Sequence, residues 1–224
     1  MNIFFKLVAL VGLMFSITFT SHSQESNLGN WLIYIGSKKI NSKLNLHHEV
    51  QYRNYDAISD LEQLLLRTGL GYNLSENNNN VLLGYGYILS ENYLANTDEK
   101  VSVNEHRIFQ QFTTKQKFGR IGLSHRYRFE QRFVEDDFKM RFRYFLSLRV
   151  PFKTDGEGVD GPLYLSAYNE IFLNTQTSIF DRNRLYGGLG YVFSKSLRME
   201  LGYMNQFFET SGRDQINIIA FVNF

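Results

Sequence analysis

The sequence predicts an all-β protein, a closed antiparallel transmembrane β-barrel of the outer-membrane type with about 10–12 strands. Three observations carry this prediction. Apolar and polar side chains alternate in ten successive segments, the first residues have the layout of an export signal, and the chain ends inside such a segment at a terminal Phe. Strict alternation is typical of a strand, because successive side chains point to opposite faces of a sheet. No segment has a sustained helical period.

The composition suits extended sheet and excludes several other classes of protein. The chain holds 20 Phe and 14 Tyr but only 2 Pro among 224 residues, which favours strands. A net charge of +2 argues against nucleic acid as a partner. The absence of Cys excludes disulfides, thiolate metal sites and an acylated cysteine. The negative mean hydropathy argues against a helical membrane protein but is compatible with a barrel, whose lumen-facing half is polar.

The N-terminal region differs from the rest of the chain. Lys6 precedes an apolar run from Leu7 to Phe19, and small and polar residues follow. The run has about the length of a signal-peptide core and is too short to span a bilayer as a helix. We predict that residues 1–23 are a cleaved signal peptide and that residues 24–224 form a single outer-membrane β-barrel domain. The alternative for the apolar run is a short buried helix.

The alternating segments follow one another along the chain, separated by turn residues such as Gly119 and Gly212. Ten of them begin at Leu44, Leu64, Val81, His106, Ile121, Met140, Leu163, Arg184, Leu197 and Gln215. Trp31 to Ile40 would add an eleventh. Since bacterial outer-membrane barrels have even strand numbers, the first segment is expected to be a partial strand or plug, unless two strands have been merged.

One strand, MRFRYFLSLRVPF from Met140 to Phe152, decides which face is expected to meet lipid. Phe142 lies in an apolar row on one face, and Arg141 lies in a cationic row on the other. Arginines in lipid would cost about 2–4 kcal/mol each near the midplane, so the cationic row is predicted to face the lumen. A soluble barrel has the same alternation, but its apolar row faces the interior and its polar row faces water. The export signal, the length of the segments, the width of the interior that their number implies and the terminal Phe224 favour the membrane.

Several short stretches resemble one family. They are EHRIFQQ (105–111), SHRYRFEQR (124–132), RFRYFLSLRVPF (141–152), YNEIFLN (168–174), NRLYGGLGY (183–191) and ELGYMNQ (200–206). Together they resemble the domain of unknown function 2490 family of bacterial outer-membrane β-barrel proteins, over essentially the whole mature chain. The resemblance implies an outer-membrane barrel and supplies no activity, because none is established for that family. The segment at Trp31 is also similar to the family's start.

The predicted lumen rows hold the candidate functional residues, with 13 basic side chains against 5 acidic ones. The candidate cluster consists of Arg107, Arg126, Arg128, Glu130, Arg132, Arg141, Arg143, Arg149, Glu170, Arg198 and Glu200. The same alternation also turns Arg53, Arg67 and Glu49 inward. Arg offers paired donors to phosphate or carboxylate, so the lumen could attract or bind a small anion. The alternative is a structural network of ion pairs in which Glu130 and Glu170 bridge arginines.

These features indicate a structural or interaction barrel or a small passive, porin-like channel, integral to the cell outer membrane of a Gram-negative cell. The alternative is an outer-membrane enzyme that acts on envelope lipids, but no catalytic group assembles, because Ser124 and His125 point to opposite faces. We expect no cofactor and no metal, since the histidines lack a ligand spacing. The expected partners are outer-membrane lipids and the barrel assembly machinery, the latter through the C-terminal strand ending at Phe224.

The end at Phe224 is predicted to be periplasmic. Since successive connections alternate between the two ends of the barrel, this position orients all of them. Short turns such as 194–196 are then expected in the periplasm. Longer loops such as Tyr93 to Val103 and Asn174 to Asn183 are expected outside the cell.

Overall fold

The computed structural model describes residues 28–56, 59–75, 78–153, 160–176 and 178–224. The predicted signal peptide, residues 1–23, lies outside this part of the chain. The described residues include no helical segment with the length and hydropathy of a transmembrane span. The strands are β1 Gly29–Lys39, β2 Leu44–Asn54, β3 Leu61–Asn73, β4 Asn79–Tyr93, β5 Lys100–Phe118, β6 Ile121–Val134, β7 Asp137–Lys153, β8 Asp160–Asn174, β9 Phe180–Val192, β10 Leu197–Phe207 and β11 Gly212–Asn223.

The strands form one closed barrel in which each strand pairs with its neighbours in sequence. All of these consecutive pairs are antiparallel, whereas β1 and β11 close the barrel as a parallel pair, with Trp31 opposite Asn217. The parallel pair follows from the odd number of strands. Direction alternates from strand to strand, so the eleventh strand runs in the same direction as the first. The predicted closed all-β barrel is confirmed, and the parallel closure is a feature that the sequence did not predict.

The first segment is a full strand, so the expectation of a partial strand or plug is wrong. That expectation assumed an even number of strands, and the structure describes eleven. β1 is 11 residues long and pairs with both β2 and β11. Both faces of β1 carry apolar side chains, so an alternation of apolar and polar residues does not mark it as a strand. Trp31 and Ile33 are buried inside the barrel, while Leu32 between them is exposed outside.

The two faces of the other strands follow the predicted alternation. In β7, Phe142 exposes 52 % of its surface and Arg141 exposes 3 %. The two residues pair with Phe129 and Glu130 of β6, so the same division continues across the sheet. The apolar row therefore lies on the outer surface and the charged row lines the interior.

Apolar and aromatic side chains fill part of the interior as well. One cluster joins β1, β9, β10 and β11 through Trp31, Ile33, Tyr186, Met204 and Ile219. Glycine makes room for such rings where they lie flat against the wall. A Cβ at Gly190 would lie 2.1 Å from the Tyr164 ring, and one at Gly84 would lie 2.2 Å from the Phe109 ring. Glycine at these two positions therefore allows an aromatic ring to approach the barrel wall closely.

Among the described residues, the connections at the two ends of the barrel differ little in length, so the predicted contrast between short turns and long loops is wrong. At the Phe224 end they are 40–43, 74–78, 119–120 and 193–196, and at the other end they are 55–60, 94–99, 135–136, 175–179 and 208–211. Strand pairing continues far into the predicted loops. β4 and β5 still pair at Tyr93 and Lys100, which shortens the loop that was expected to reach Val103.

Candidate functional site

The five predicted inward-facing glutamates are all buried inside the barrel, and Glu130 has no exposed surface (0 %). Glu130 lies in the middle of the charged region. Arg141 donates to its Oε2 from Nε and Nη2 at 3.1 and 2.7 Å, and Arg143 donates to its Oε1 from Nη1 at 2.6 Å. A third guanidinium, that of Arg128, lies 3.7 Å from Oε1. One carboxylate thus serves three cations.

Glu170 of β8 has a similar arrangement and is linked to Glu130 by a shared arginine. Arg143 donates to Glu170 Oε1 from Nε and Nη2 at 3.2 and 2.7 Å. Arg126 donates to the same oxygen at 2.8 Å, and Arg184 Nη1 lies 3.8 Å from Oε2. Arg143 therefore bridges the two carboxylates, as the predicted ion-pair network requires.

Further carboxylates are also shared. Glu105 accepts paired hydrogen bonds from Arg107, at 2.5 and 2.7 Å, and from Arg132, at 2.5 and 3.0 Å. Asp181, which was not predicted as a member, accepts from Arg141 at 2.8 Å and from Arg182 at 3.0 Å. Because buried carboxylates without partners are costly, these pairings hold the interior charges in place.

The remaining predicted members form a separate group nearer the Phe224 end. Arg198 Nη1 and the Tyr164 hydroxyl each donate to Glu200 Oε1 at 2.9 Å. Arg149 is exposed, and its guanidinium lies 5.1 Å from the centre of the Tyr164 ring. No carboxylate of the described residues lies within 4.0 Å of Arg149. The predicted cluster therefore divides into a central network and this smaller group.

A small cavity opens within the central network, near the barrel end opposite Phe224. Its volume is about 60 Å³, and its lining is almost entirely arginine. The lining residues are Arg53, Gln63, Arg67, Arg107, Arg132, Arg141, Arg143, Phe172, Arg182 and Arg184. Eight guanidinium groups from six strands thus meet around one space.

Four of these arginines were not among the predicted members of the cluster. Arg53 and Arg67 were expected to face inward but were not assigned to it. Arg182 was missed because the predicted strand began at Arg184, whereas β9 begins at Phe180. Arg184 opened the predicted strand but was not assigned to the interior row, although it lies on the same face as Arg182.

Two aromatic rings form walls for these cations. The Phe172 ring lies 4.4 Å from the Arg143 guanidinium and 4.6 Å from that of Arg184. The Trp31 ring lies 3.7 Å from the guanidinium of Arg53 and 4.7 Å from that of Arg184. Aromatic faces attract cations and stabilise buried guanidinium groups, but they do not neutralise the charge.

Positive charge is in excess in this region. The eight cavity arginines, together with Arg126 and Arg128, make ten cations. The carboxylates of the same region number five: Glu49, Glu105, Glu130, Glu170 and Asp181. Arg53 has no carboxylate partner among the described residues. It donates instead to the amide oxygens of Gln51, at 3.0 and 2.6 Å, and Gln63, at 2.7 Å.

The connections at this end of the barrel hold another polar group. Lys100 and the Tyr93 hydroxyl both bond to Asp60, and Arg213 pairs with Glu62 at 2.8 Å. Tyr55 lies between the two cations. Burial and the neighbouring Glu62 carboxylate raise the pKa of the Tyr55 hydroxyl, which keeps that hydroxyl protonated. These contacts tie the β2–β3 connection to β5 and β11.

Two histidines of the described strands bond to tyrosine hydroxyls, and a third, His47, contacts the single carboxylate of Glu49 at 3.3 Å. His106 bonds to the Tyr85 hydroxyl at 2.6 Å and His125 to the Tyr144 hydroxyl at 2.9 Å, both on the outer face. Nowhere in the described part of the chain do three or more His, Cys, Asp or Glu side chains come together as a metal site.

The fold and the interior together define a closed β-barrel with a buried arginine–carboxylate network. The chain belongs to the family described as protein of unknown function DUF2490, whose model matches residues 28–217. An uncharacterized protein of Methylorubrum extorquens strain AM1 is similar to it, with 31 % identity over 164 residues that cover 70 % of this chain and 69 % of that protein. The family resemblance predicted from the sequence is thereby confirmed.

Proposed function

We propose that this protein is an integral outer-membrane β-barrel whose interior is closed by its own side chains, and that it acts as a structural or interaction barrel. One observation carries the proposal: every strand contributes a large exposed apolar or aromatic side chain to the outer surface. In strand order they are Leu32, Val50, Leu70, Leu83, Ile108, Tyr127, Phe142, Leu165, Leu189, Leu201 and Ile218.

A ring of this kind needs an apolar surrounding on all sides. Leu83 and Leu201 each expose about three-fifths of their surface, 60 % and 59 %. Burying one such side chain is worth about 1.5–3 kcal/mol, and soluble monomers rarely expose continuous apolar patches larger than a few hundred Å². A protein partner on one side would cover part of the ring. A bilayer would cover all of it, while the buried charges stay away from lipid.

The filled interior favours a closed barrel over a passive channel. Four side chains of the interior have no exposed surface: Ile88, Phe109, Glu130 and Met204. The arginine-lined cavity of about 60 Å³ is far too small to form a continuous aqueous pore. We therefore expect no conductance from the purified protein in planar bilayers. Steady anion-selective conductance that Arg141→Glu weakens would favour the channel instead.

The orientation follows from the proposed periplasmic position of Phe224. Because β1 and β11 are parallel, Leu28 lies at the opposite end of the barrel, beside the connection 208–211. In the proposed orientation Leu28 is outside the cell. A cysteine at Leu28 should react with a membrane-impermeant thiol reagent in intact cells, and the absence of native Cys removes background labelling.

Fractionation of cells tests the location. The protein should sediment with the outer membrane, resist extraction by carbonate, and migrate faster in gels when unheated, because folded barrels keep their compact shape in detergent. Recovery in the soluble periplasmic fraction would contradict the proposal. Recovery in the membrane without heat-dependent migration would indicate attachment through another element.

A further inference from the structure

We infer that the arginine-lined cavity binds a compact tetrahedral oxyanion, either free phosphate or sulfate or the terminal phosphate of a larger molecule. This inference goes beyond the proposed function, because the cavity is enclosed by interior side chains whatever surrounds the barrel. Binding and membrane location therefore succeed or fail independently.

The cavity carries an excess of positive charge. Eight arginines line the cavity, and two of the carboxylates that contact them, Glu170 and Glu130, are also shared with Arg126 and Arg128 outside it. Arg53 receives only amide oxygens. Uncompensated buried cations are strongly unfavourable, and an anion bound among them would supply the missing negative charge. The planar guanidinium group suits such an anion, because its paired N–H donors match the spacing of phosphate and carboxylate oxygens.

Two of the lining arginines keep free N–H donors. Glu105 holds the Nε and Nη2 edges of both Arg107 and Arg132. The Nη1 group of each arginine has no acceptor among the described residues. Arg67 differs from these two arginines, because its Nη1 donates to Glu49 at 2.9 Å. The carboxylates thus orient the guanidinium groups and leave N–H donors for a ligand.

The cavity has the size and the opening that a small oxyanion requires. A buried water needs about 10–15 Å³ of such space, so a cavity of about 60 Å³ has room for about four water-sized groups. A tetrahedral oxyanion has four oxygens. The Arg182 side chain is 27 % exposed and that of Arg132 is 17 % exposed, so the cavity can be reached from the barrel end opposite Phe224. Through this opening the rest of a phosphomonoester could remain outside.

Two variants separate ligand binding from barrel stability. Arg53→Gln removes a cation that has no carboxylate partner, so it leaves no buried carboxylate unpaired. Gln63→Glu places a carboxylate beside Arg53, whose Nη1 already lies 2.7 Å from the Gln63 oxygen, and should act as a built-in substitute for the anion. Arg149→Gln is the matched control, because it removes an interior-facing arginine remote from the cavity.

The experiment is isothermal titration calorimetry on the full barrel folded in detergent, with sodium phosphate, sodium sulfate and glycerol 3-phosphate as probes at constant ionic strength. We expect wild type and Arg149→Gln to bind alike. Arg53→Gln should bind the anion at least about tenfold more weakly, because it loses one charge-assisted hydrogen bond. Gln63→Glu should not bind and should unfold at a higher temperature than the ligand-free wild type.

The outcomes are distinct. Preference for glycerol 3-phosphate would identify the ligand as part of a larger molecule, and preference for inorganic phosphate or sulfate would identify a free ion; either supports the inference. No heat with any probe, in a wild-type sample that migrates as a folded barrel, would overturn it. Equal affinity in wild type, Arg53→Gln and Gln63→Glu would also overturn it, because binding would then occur elsewhere.

Discussion

Replacing Glu130 by Gln should destabilise the barrel more than any other single loss of a carboxylate. The change keeps the shape of the side chain and removes its charge. Glu130 has no exposed surface and contacts Arg141, Arg143 and Arg128. Removing one partner of a buried ion pair costs about 3–5 kcal/mol, because it leaves the other charge uncompensated. We expect a loss in that range.

Glu200→Gln is the matched control for this prediction. Glu200 is also buried, but its partner Arg198 has a side chain that is 29 % exposed, so water can solvate the cation after the change. We expect a loss of about 1 kcal/mol. Urea unfolding and refolding of the protein in detergent micelles measures both values. If Glu130→Gln and Glu200→Gln lowered the free energy of unfolding equally, the central network would not have the stabilising role argued above.

Three further predictions concern assembly, orientation and packing. Deletion of Phe224 should lower the amount of folded protein in the outer membrane, measured by heat-dependent gel migration, if the assembly machinery recognises the last strand; unchanged amounts would contradict this. A cysteine at Asn96 should react with an impermeant thiol reagent in intact cells and one at Lys195 should not, whereas labelling of Lys195→Cys alone would reverse the orientation. Gly190→Ala should lower the free energy of unfolding by about 1–3 kcal/mol through overpacking, because the added Cβ would lie 2.1 Å from the Tyr164 ring. Gly187→Ala should be nearly neutral in the same urea assay, since no atom lies within 4 Å of its added Cβ.

Alternation along β7 was enough to predict which of its side chains face inward. Arg141 and Phe142 lie on the expected faces because neighbouring residues of a strand cannot share one. The same rule failed to describe β1, since Trp31 and Ile33 are apolar on the interior side as well. Hydrophobic pattern alone does not distinguish a strand with two apolar faces from a plug.

The arrangement of the site could not be predicted in the same way. Which arginine meets which glutamate depends on the register between strands, and the sequence of one strand does not specify that register. Arg128 and Arg149 were both predicted members of the cluster, yet Arg128 lies at its centre and Arg149 outside it. The cavity depends further on Arg182, whose strand begins earlier than its pattern indicated.

The most direct test of the central claim is a measurement of what surrounds the outer face. Single cysteines at Leu83, Phe142 and Leu201 can carry spin labels without interference, since the chain has no native Cys. In vesicles, electron paramagnetic resonance should detect more collisions with apolar oxygen than with a water-soluble nickel chelate at all three positions, and the reverse at Asn96 in a connection. Collisions dominated by the nickel chelate at Phe142 and Leu201, as at Asn96, would contradict a barrel embedded in lipid.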